Sequence, residues 1–487
     1  MKKAPFFSSV ILLAFITMSS EGPAAGGDSG LRFVNGRTQA GPGIVFSSFL
    51  AGRGEDRGCR VAVDRTGAVY VAGFTTSSNF PPVENGQPRQ DIFLVKLSPD
   101  GKTLAYSAFF PVAAEEEEMT LGLAVDAKGS AYLAGTTFTR LFPVKNAVQK
   151  TYGGEGDGFV VKLAPNGKSV VYATFLGGAA EDRCLALCVG ADGSAYVAGV
   201  TDSRNFPVKK ACQETSGGQS DGFLARISPG GDSLVYSTYL GRTRNDRCTA
   251  LAVDASGAAV AAGRTDGPGF PMVRPIQGFG GGTADAFVVK LAPDGKTLLF
   301  STCLGGRHED AATALALDAR GLVYVGGTTR GGFPIVGGFQ TEKNGNMDGF
   351  VARLSTDKPR LLYSTYLGGA GDDLIRDIAV TAKGAAYVAG RTDGIGFPVR
   401  YALSPYLAGP SDGFLCLIGP AGKGFYASTY IGGLRDDDVR GVAADEAGGI
   451  YLTGRTTSVD IPIKSAYQNK HGDKTDGFVM KLHYQKD

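Results

Sequence analysis

The sequence predicts an all-β protein, a seven-bladed β-propeller with four antiparallel strands per blade. Three observations predict it. Two motifs recur in constant phase along the chain, each repeat holds four short β-rich runs, and the two ends of the chain fit together as one blade.

The phase comes first, because self-similarity at a fixed period outranks any local reading. The segment Tyr236-Ser-Thr-Tyr-Leu-Gly241 has counterparts starting at Phe46, Tyr106, Tyr172, Phe300, Tyr363 and Tyr426. An aspartate followed by a small or apolar residue, and then by phenylalanine in most copies, recurs at Asp91, Asp157, Asp221, Asp285, Asp348, Asp412 and Asp476. The period is about 64 residues and holds across the chain.

Within a repeat the runs are too short and too β-rich for helices. One repeat shows all four. Leu251-Ala-Val-Asp254 opens it, a turn ends at Gly257, and a second run spans 258–263. A longer loop carrying a Phe-Pro pair precedes the third run, 287–291. The turn Pro293-Asp-Gly295 then leads into the fourth, 298–304. A four-stranded sheet with aliphatics at successive positions is apolar on both faces. Stacking sheets around a channel buries both.

The final repeat stops after its third strand, and residues 44–50 supply an unclaimed fourth-strand motif at the other end. The N-terminal strand is therefore expected to complete the last blade and remove an exposed edge. The domain plan is a signal peptide at 1–25, a linker at 26–43 and the propeller at 44–484. Lys2 and Lys3 followed by the apolar stretch Phe6 to Met18 carry the signal reading. That stretch is short of the ~20 residues a membrane span needs. A secreted, periplasmic or cell-surface location follows, with no transmembrane segment after cleavage, and the expected state is a monomer.

Composition narrows the chemistry. Lys plus Arg (49) nearly balance Asp plus Glu (47), which argues against a nucleic-acid partner. The seven cysteines are an odd number and are read as small core residues. Three histidines, far apart, give no transition-metal or Ser/His/Asp signature. The chain has no tryptophan, which weakens sialidase-like, quinone-cofactor and sugar-platform readings.

The pattern Tyr-Ser-Thr-Tyr-Leu-Gly-Gly, then Ala-Val-Asp-x-x-Gly-x-x-Tyr-Val-Ala-Gly-x-Thr, then Phe-Pro, then Asp-Gly-Phe-Val-x-Lys-Leu, resembles the bacterial seven-bladed β-propeller (SBBP) repeat family. The resemblance covers residues 44 to 484. It implies the fold and an exported location, and it brings no catalytic residues. The second copy departs from the pattern, with Phe109-Phe-Pro-Val followed by a Glu115 to Glu118 run.

Repeated carboxylates are weighed by their symmetry. The aspartate before each third strand is expected to hold the long loop through backbone N–H groups. Asp64, Asp126, Asp254, Asp318 and Asp445 read as turn formers. Lys96, Lys162, Arg226, Lys290, Arg353 and Lys481 recur in the third strand, with Leu417 in the sixth copy, and should pair locally. A further set precedes the first strand of six blades: Asp56, Asp182, Asp246, Asp310, Asp373 and Asp437. It should ring one channel mouth, as ion pairs with Arg57, Arg183 and Arg247 or as a ligand site. No cofactor is evident, and a cation such as Ca2+ is the expected occupant of this ring if it is a ligand site. The expected function is non-catalytic binding or scaffolding, engaging an extracellular protein or glycan through the loop face. The alternative is a secreted hydrolase or lyase acting on a polysaccharide, with carboxylates at the channel mouth.

Overall fold

A computed structural model of the chain describes residues 41–81, 90–113 and 120–484. The signal peptide, most of the linker and the Glu115 to Glu118 run lie outside the described residues. Twenty-eight strands form seven four-stranded antiparallel sheets, and no helix occurs among the described residues. Blade 3 shows the plan: Asp182–Val189, Ala195–Thr201, Asp221–Ile227 and Leu234–Leu240, paired in chain order. The first strands of blades 1 to 7 are Asp56–Val63, Gly122–Val125, Asp182–Val189, Asp246–Val253, Asp310–Leu317, Asp373–Val380 and Asp437–Ala444. Each touches the next, and the seventh touches the first, so these strands wall a central channel. The chain is a seven-bladed β-propeller.

The seventh sheet contains Asp437–Ala444, Gly449–Thr456 and Asp476–His483, and its outermost strand is Gly43–Leu50. That strand runs antiparallel to Asp476–His483, from the Gly43–His483 pair to the Leu50–Gly477 pair. It contributes buried Phe46, Phe49 and Leu50. Phe49 lies opposite Phe478 and meets the ring of His471 edge-on at 5.4 Å. Replacing Phe49 with Ala should cost ~3–5 kcal/mol, as for other buried phenylalanines. Denaturant unfolding measures this, and a loss below ~1 kcal/mol would mean the strand contributes little.

Blade-to-blade packing explains why the middle strands are apolar on both faces. Tyr132, Val160 and Leu176 of blade 2 share one core cluster with Val197, Phe223 and Tyr239 of blade 3. Polar latches reinforce the stack. The hydroxyls of Tyr70, Tyr132, Tyr196 and Tyr324 donate to the carbonyls of Gly129, Gly193, Gly257 and Gly384 in the following blade. The Phe-Pro loops are pinned by their rings. Phe80, Phe142, Phe206, Phe270, Phe333 and Phe397 are buried, and each packs on a third-strand phenylalanine at 3.9–4.5 Å between centroids. All seven cysteines are unpaired, and five are fully buried.

Local pairing follows the repeat. Lys96, Lys162, Arg226, Lys290, Arg353 and Lys481 bridge to the turn carboxylates Asp64, Asp126, Asp192, Asp254, Asp318 and Asp445. Five of the six cations also sit over a tyrosine face at 4.7–5.1 Å. Blade 6 loses both partners together. Thr381 stands at the turn, with its Oγ1 accepting the Ala385 N–H, and Leu417 replaces the cation.

Candidate functional site

Each entry aspartate is the first residue of its inner strand and lies opposite a threonine, as Asp182 does Thr201. The same threonine faces the third-strand aspartate on its other side, as Thr201 does Asp221. One end of every complete blade thus carries an Asp-Thr-Asp row. The link between blades crosses this row through a glycine. A Cβ on Gly241 would lie 2.4 Å from Asp221 Oδ1 and 2.5 Å from Asp246 Oδ2. Gly177, Gly305, Gly368 and Gly432 sit between equivalent carboxylates of adjacent blades. Glycine fits so tight a gap, and in the link from blade 7 to blade 1 the corresponding residue is the buried Ala51.

Asp56, Asp182, Asp246, Asp310, Asp373 and Asp437 are all 2% exposed or less. One oxygen of each, Oδ2, is held by the protein's own donors, while Oδ1 of Asp182, Asp246, Asp310, Asp373 and Asp437 is buried without a hydrogen-bond partner. The Oδ2 atoms accept from the link N–H groups of Gly52, Gly178, Arg242, Gly306, Gly369 and Gly433 at 2.6–3.0 Å. Ser77, Ser203 and Ser458 add hydroxyl bonds at 2.8 Å. The third-strand aspartates hold the long loops in the same way. Asp157, Asp221, Asp348, Asp412 and Asp476 accept from backbone N–H groups four residues upstream.

Burial dominates the electrostatics of these rows. Desolvation raises Asp182, Asp246 and Asp310 to about 6 and Asp373 to about 7, helped by the like charge of the facing third-strand aspartate. Asp412 and Asp476 rise to about 6 for the same first cause. Arg57 and Arg183 bridge to Glu55 and Glu181, two residues before them, and so link within one loop. Arg247 lies beside Arg264, which bridges to Asp266 and Glu309. Among the described residues, no three His, Cys, Asp or Glu side chains converge as a metal cluster, so the carboxylates meet in pairs at most.

The asymmetric chemistry lies inside the channel. Each full-length inner strand has a register shift around its fourth residue. Such a bulge leaves one residue unpaired and re-aims its side chain. In blades 3, 4 and 5 these residues are Leu185, Thr249 and Thr313. In blades 1, 6 and 7 they are Cys59, Arg376 and Arg440. The next residues in blades 1 and 6 are Arg60 and Asp377. Cys59, Arg60, Thr120, Leu121, Thr249, Thr313, Arg376 and Arg440 line a cavity of about 130 Å3.

Several of these side chains also latch neighbouring blades. Thr249 and Thr313 donate to the carbonyls of Ala312 and Ile375 at 2.7 and 2.6 Å. Arg60 donates to the Arg440 carbonyl at 3.1 Å, and Asp377 accepts the Val442 N–H at 3.0 Å. Asp438 is 1% exposed and shared by Arg440 at 3.0 Å, Arg376 at 3.4 Å and Arg455 at 3.9 Å. Its burial opposes ionisation, but the three guanidiniums outweigh it and hold its pKa low. None of Cys59, Arg60, Arg376, Asp377, Asp438 and Arg440 was singled out from the sequence. The signal was available as a departure of three blades from the repeat at one column.

Comparison with known proteins agrees with the class that the sheets define. Residues 428–462 match the model described as SBBP, beta-propeller repeat. That match covers 35 residues, within a chain whose described strands form a seven-bladed propeller. The chain is 28% identical over 415 residues to the regulatory protein FlaEY of Caulobacter vibrioides, covering 80% of this chain and 41% of that protein. The chain therefore spans less than half of that relative's length. Similar solved structures include a protein of unknown function from Dyadobacter fermentans, at 13% identity and TM-score 0.43, covering 91% of this chain and 100% of that one. Another is the polysaccharide lyase Uly1, at 10% identity and TM-score 0.44, covering 93% and 94%.

Proposed function

We propose that this propeller is an exported, non-catalytic binding module whose loop face engages a protein partner. The observation that carries this reading is a set of large apolar side chains on the loops of blades 6 and 7. Ile395, Tyr406, Leu434 and Val459 are 75%, 78%, 70% and 63% exposed. Leu434 and Val459 belong to adjoining loops, since the Leu434 N–H donates to Asp460 Oδ1 at 3.1 Å. Single exposed apolar residues, such as Leu141 of blade 2 at 84%, need no explanation, whereas neighbours such as Leu434 and Val459 support an interaction surface. Aliphatic anchors fit a protein surface better than a glycan. The repeated carboxylates meanwhile serve loop and link backbone, which supports binding over carboxylate catalysis.

A photo-crosslinking residue at position 434, in the full chain expressed in its native host, tests the reading. A discrete covalent adduct is expected there, lost when Ile395 and Val459 are both changed to Ser. Equal crosslinking from position 296, on an opposite-end turn, would sink the proposal, as would release of new polysaccharide chain ends by the purified protein.

A further inference from the structure

We infer that the channel arginines of blades 1, 6 and 7 form a binding site for an oxyanion, carried as a carboxylate or phosphate group on a ligand entering the channel. The inference stands apart from the loop-face reading, since it uses other residues and another surface.

Charge balance is the first ground. Arg60, Arg376 and Arg440 line the 130 Å3 cavity, and no carboxylate is among its described lining residues. Arg455 adjoins them through Asp438. Among the described residues, four guanidiniums thus face two carboxylates, Asp438 and Asp377. Asp438 is already divided among three arginines. Asp377 spends its two oxygens on the N–H groups of Ile378 and Val442. The guanidiniums are partly solvated, with Arg440 12% and Arg376 29% exposed, and like charges held this close repel one another. An entering oxyanion would relieve that repulsion.

Donor supply is the second ground. The Nε of Arg376 is buried without a hydrogen-bond partner. A guanidinium carries five N–H donors in a planar fork that matches carboxylate and phosphate oxygens. Thr249 and Thr313 already donate to neighbouring carbonyls, so the donors left for a ligand are the guanidinium N–H groups and the Thr120 hydroxyl. The third ground is one-sidedness. Leu121 and the uncharged Thr120, Thr249 and Thr313 make up the rest of the lining with Cys59, so the anionic end of a ligand is drawn to the arginine side. The cavity has room for roughly four waters, enough for a phosphate or a short dicarboxylate.

Calorimetric titration of the full chain with inorganic phosphate, and separately with malonate, tests the site at ionic strength fixed with sodium chloride. Saturable binding near one per chain is expected, with a higher melting temperature. Arg376→Gln and Arg60→Gln should each weaken it about tenfold, the size of one charge-assisted hydrogen bond. Lys102→Gln, on an exposed turn, should leave it unchanged. Arg440 is spared because Asp438 depends on it. Tighter phosphate than malonate assigns a tetrahedral group, and the reverse a planar one. The proposal is overturned if neither anion binds saturably. It is equally overturned if both arginine variants melt like the parent and bind as tightly.

Discussion

The melting temperature should fall steadily as pH rises from 5 to 8 at constant ionic strength. Asp182, Asp246, Asp310, Asp412 and Asp476 titrate at about 6 in the folded protein and Asp373 at about 7, raised first by burial. In the unfolded chain an aspartate titrates near 3.9. Folded values above unfolded ones mean that the native state keeps protons the unfolded state has lost. Stability from this source is full below about pH 4 and drains as pH climbs through 6 and 7. A group at about 6 loses on the order of 1.4 kcal/mol between pH 5 and 7. Asp64, Asp192, Asp254, Asp318 and Asp438 have lowered values and stay ionised throughout this window. Asp373→Asn isolates one contributor, because its amide oxygen can still accept the Gly369 N–H. Calorimetric melts at four pH values should show a shallower slope for that variant. A flat or rising profile in the parent would refute the account.

Asp438→Ala should be the most damaging single change in the channel, at ~3–5 kcal/mol, because it leaves three guanidiniums without their shared counter-ion. Asp438→Asn should cost less, since its amide oxygen can still accept from Arg440. Pairing the change with an apolar residue, as in Asp438→Leu with Arg440→Met, should recover part of the loss, since replacing both partners of a buried pair is often close to neutral. Urea unfolding of the two singles and the double closes the cycle. Full additivity would show that Asp438 and Arg440 do not act as a pair.

Sheet architecture was legible because it depends on phase. One recurring aspartate and one aromatic motif fix where each strand starts, and the Leu50–Gly477 pairing continues that phase across the two ends. Local pairs such as Lys96 with Asp64 were legible too, since both partners recur in every copy but the third, where Gly190 stands in the column and Asp192 supplies the carboxylate, and the sixth. The state of Asp56 and its equivalents was not. Sequence places them at strand entry, but their burial depends on a link folding over them and offering its N–H groups. The arginine cluster was missed for the opposite reason. Arg60, Arg376 and Arg440 are far apart in the chain and break the repeat, and only ring geometry makes blades 6, 7 and 1 neighbours.

The unpaired bulge residues bear on how such a molecule can change. Their side chains take little part in the ladder, so one of them can be exchanged while the strands keep their partners. Leu185, Thr249, Thr313, Arg376 and Arg440 already sample apolar, hydroxylic and cationic chemistry on nearly the same backbone. The bore of the ring is in effect a short combination, set one blade at a time on strands whose ladders do not depend on the setting. New specificities would then arise by single substitutions at these columns, most freely at Leu185, since Thr249 and Thr313 also latch the next blade and Arg440 neutralises Asp438.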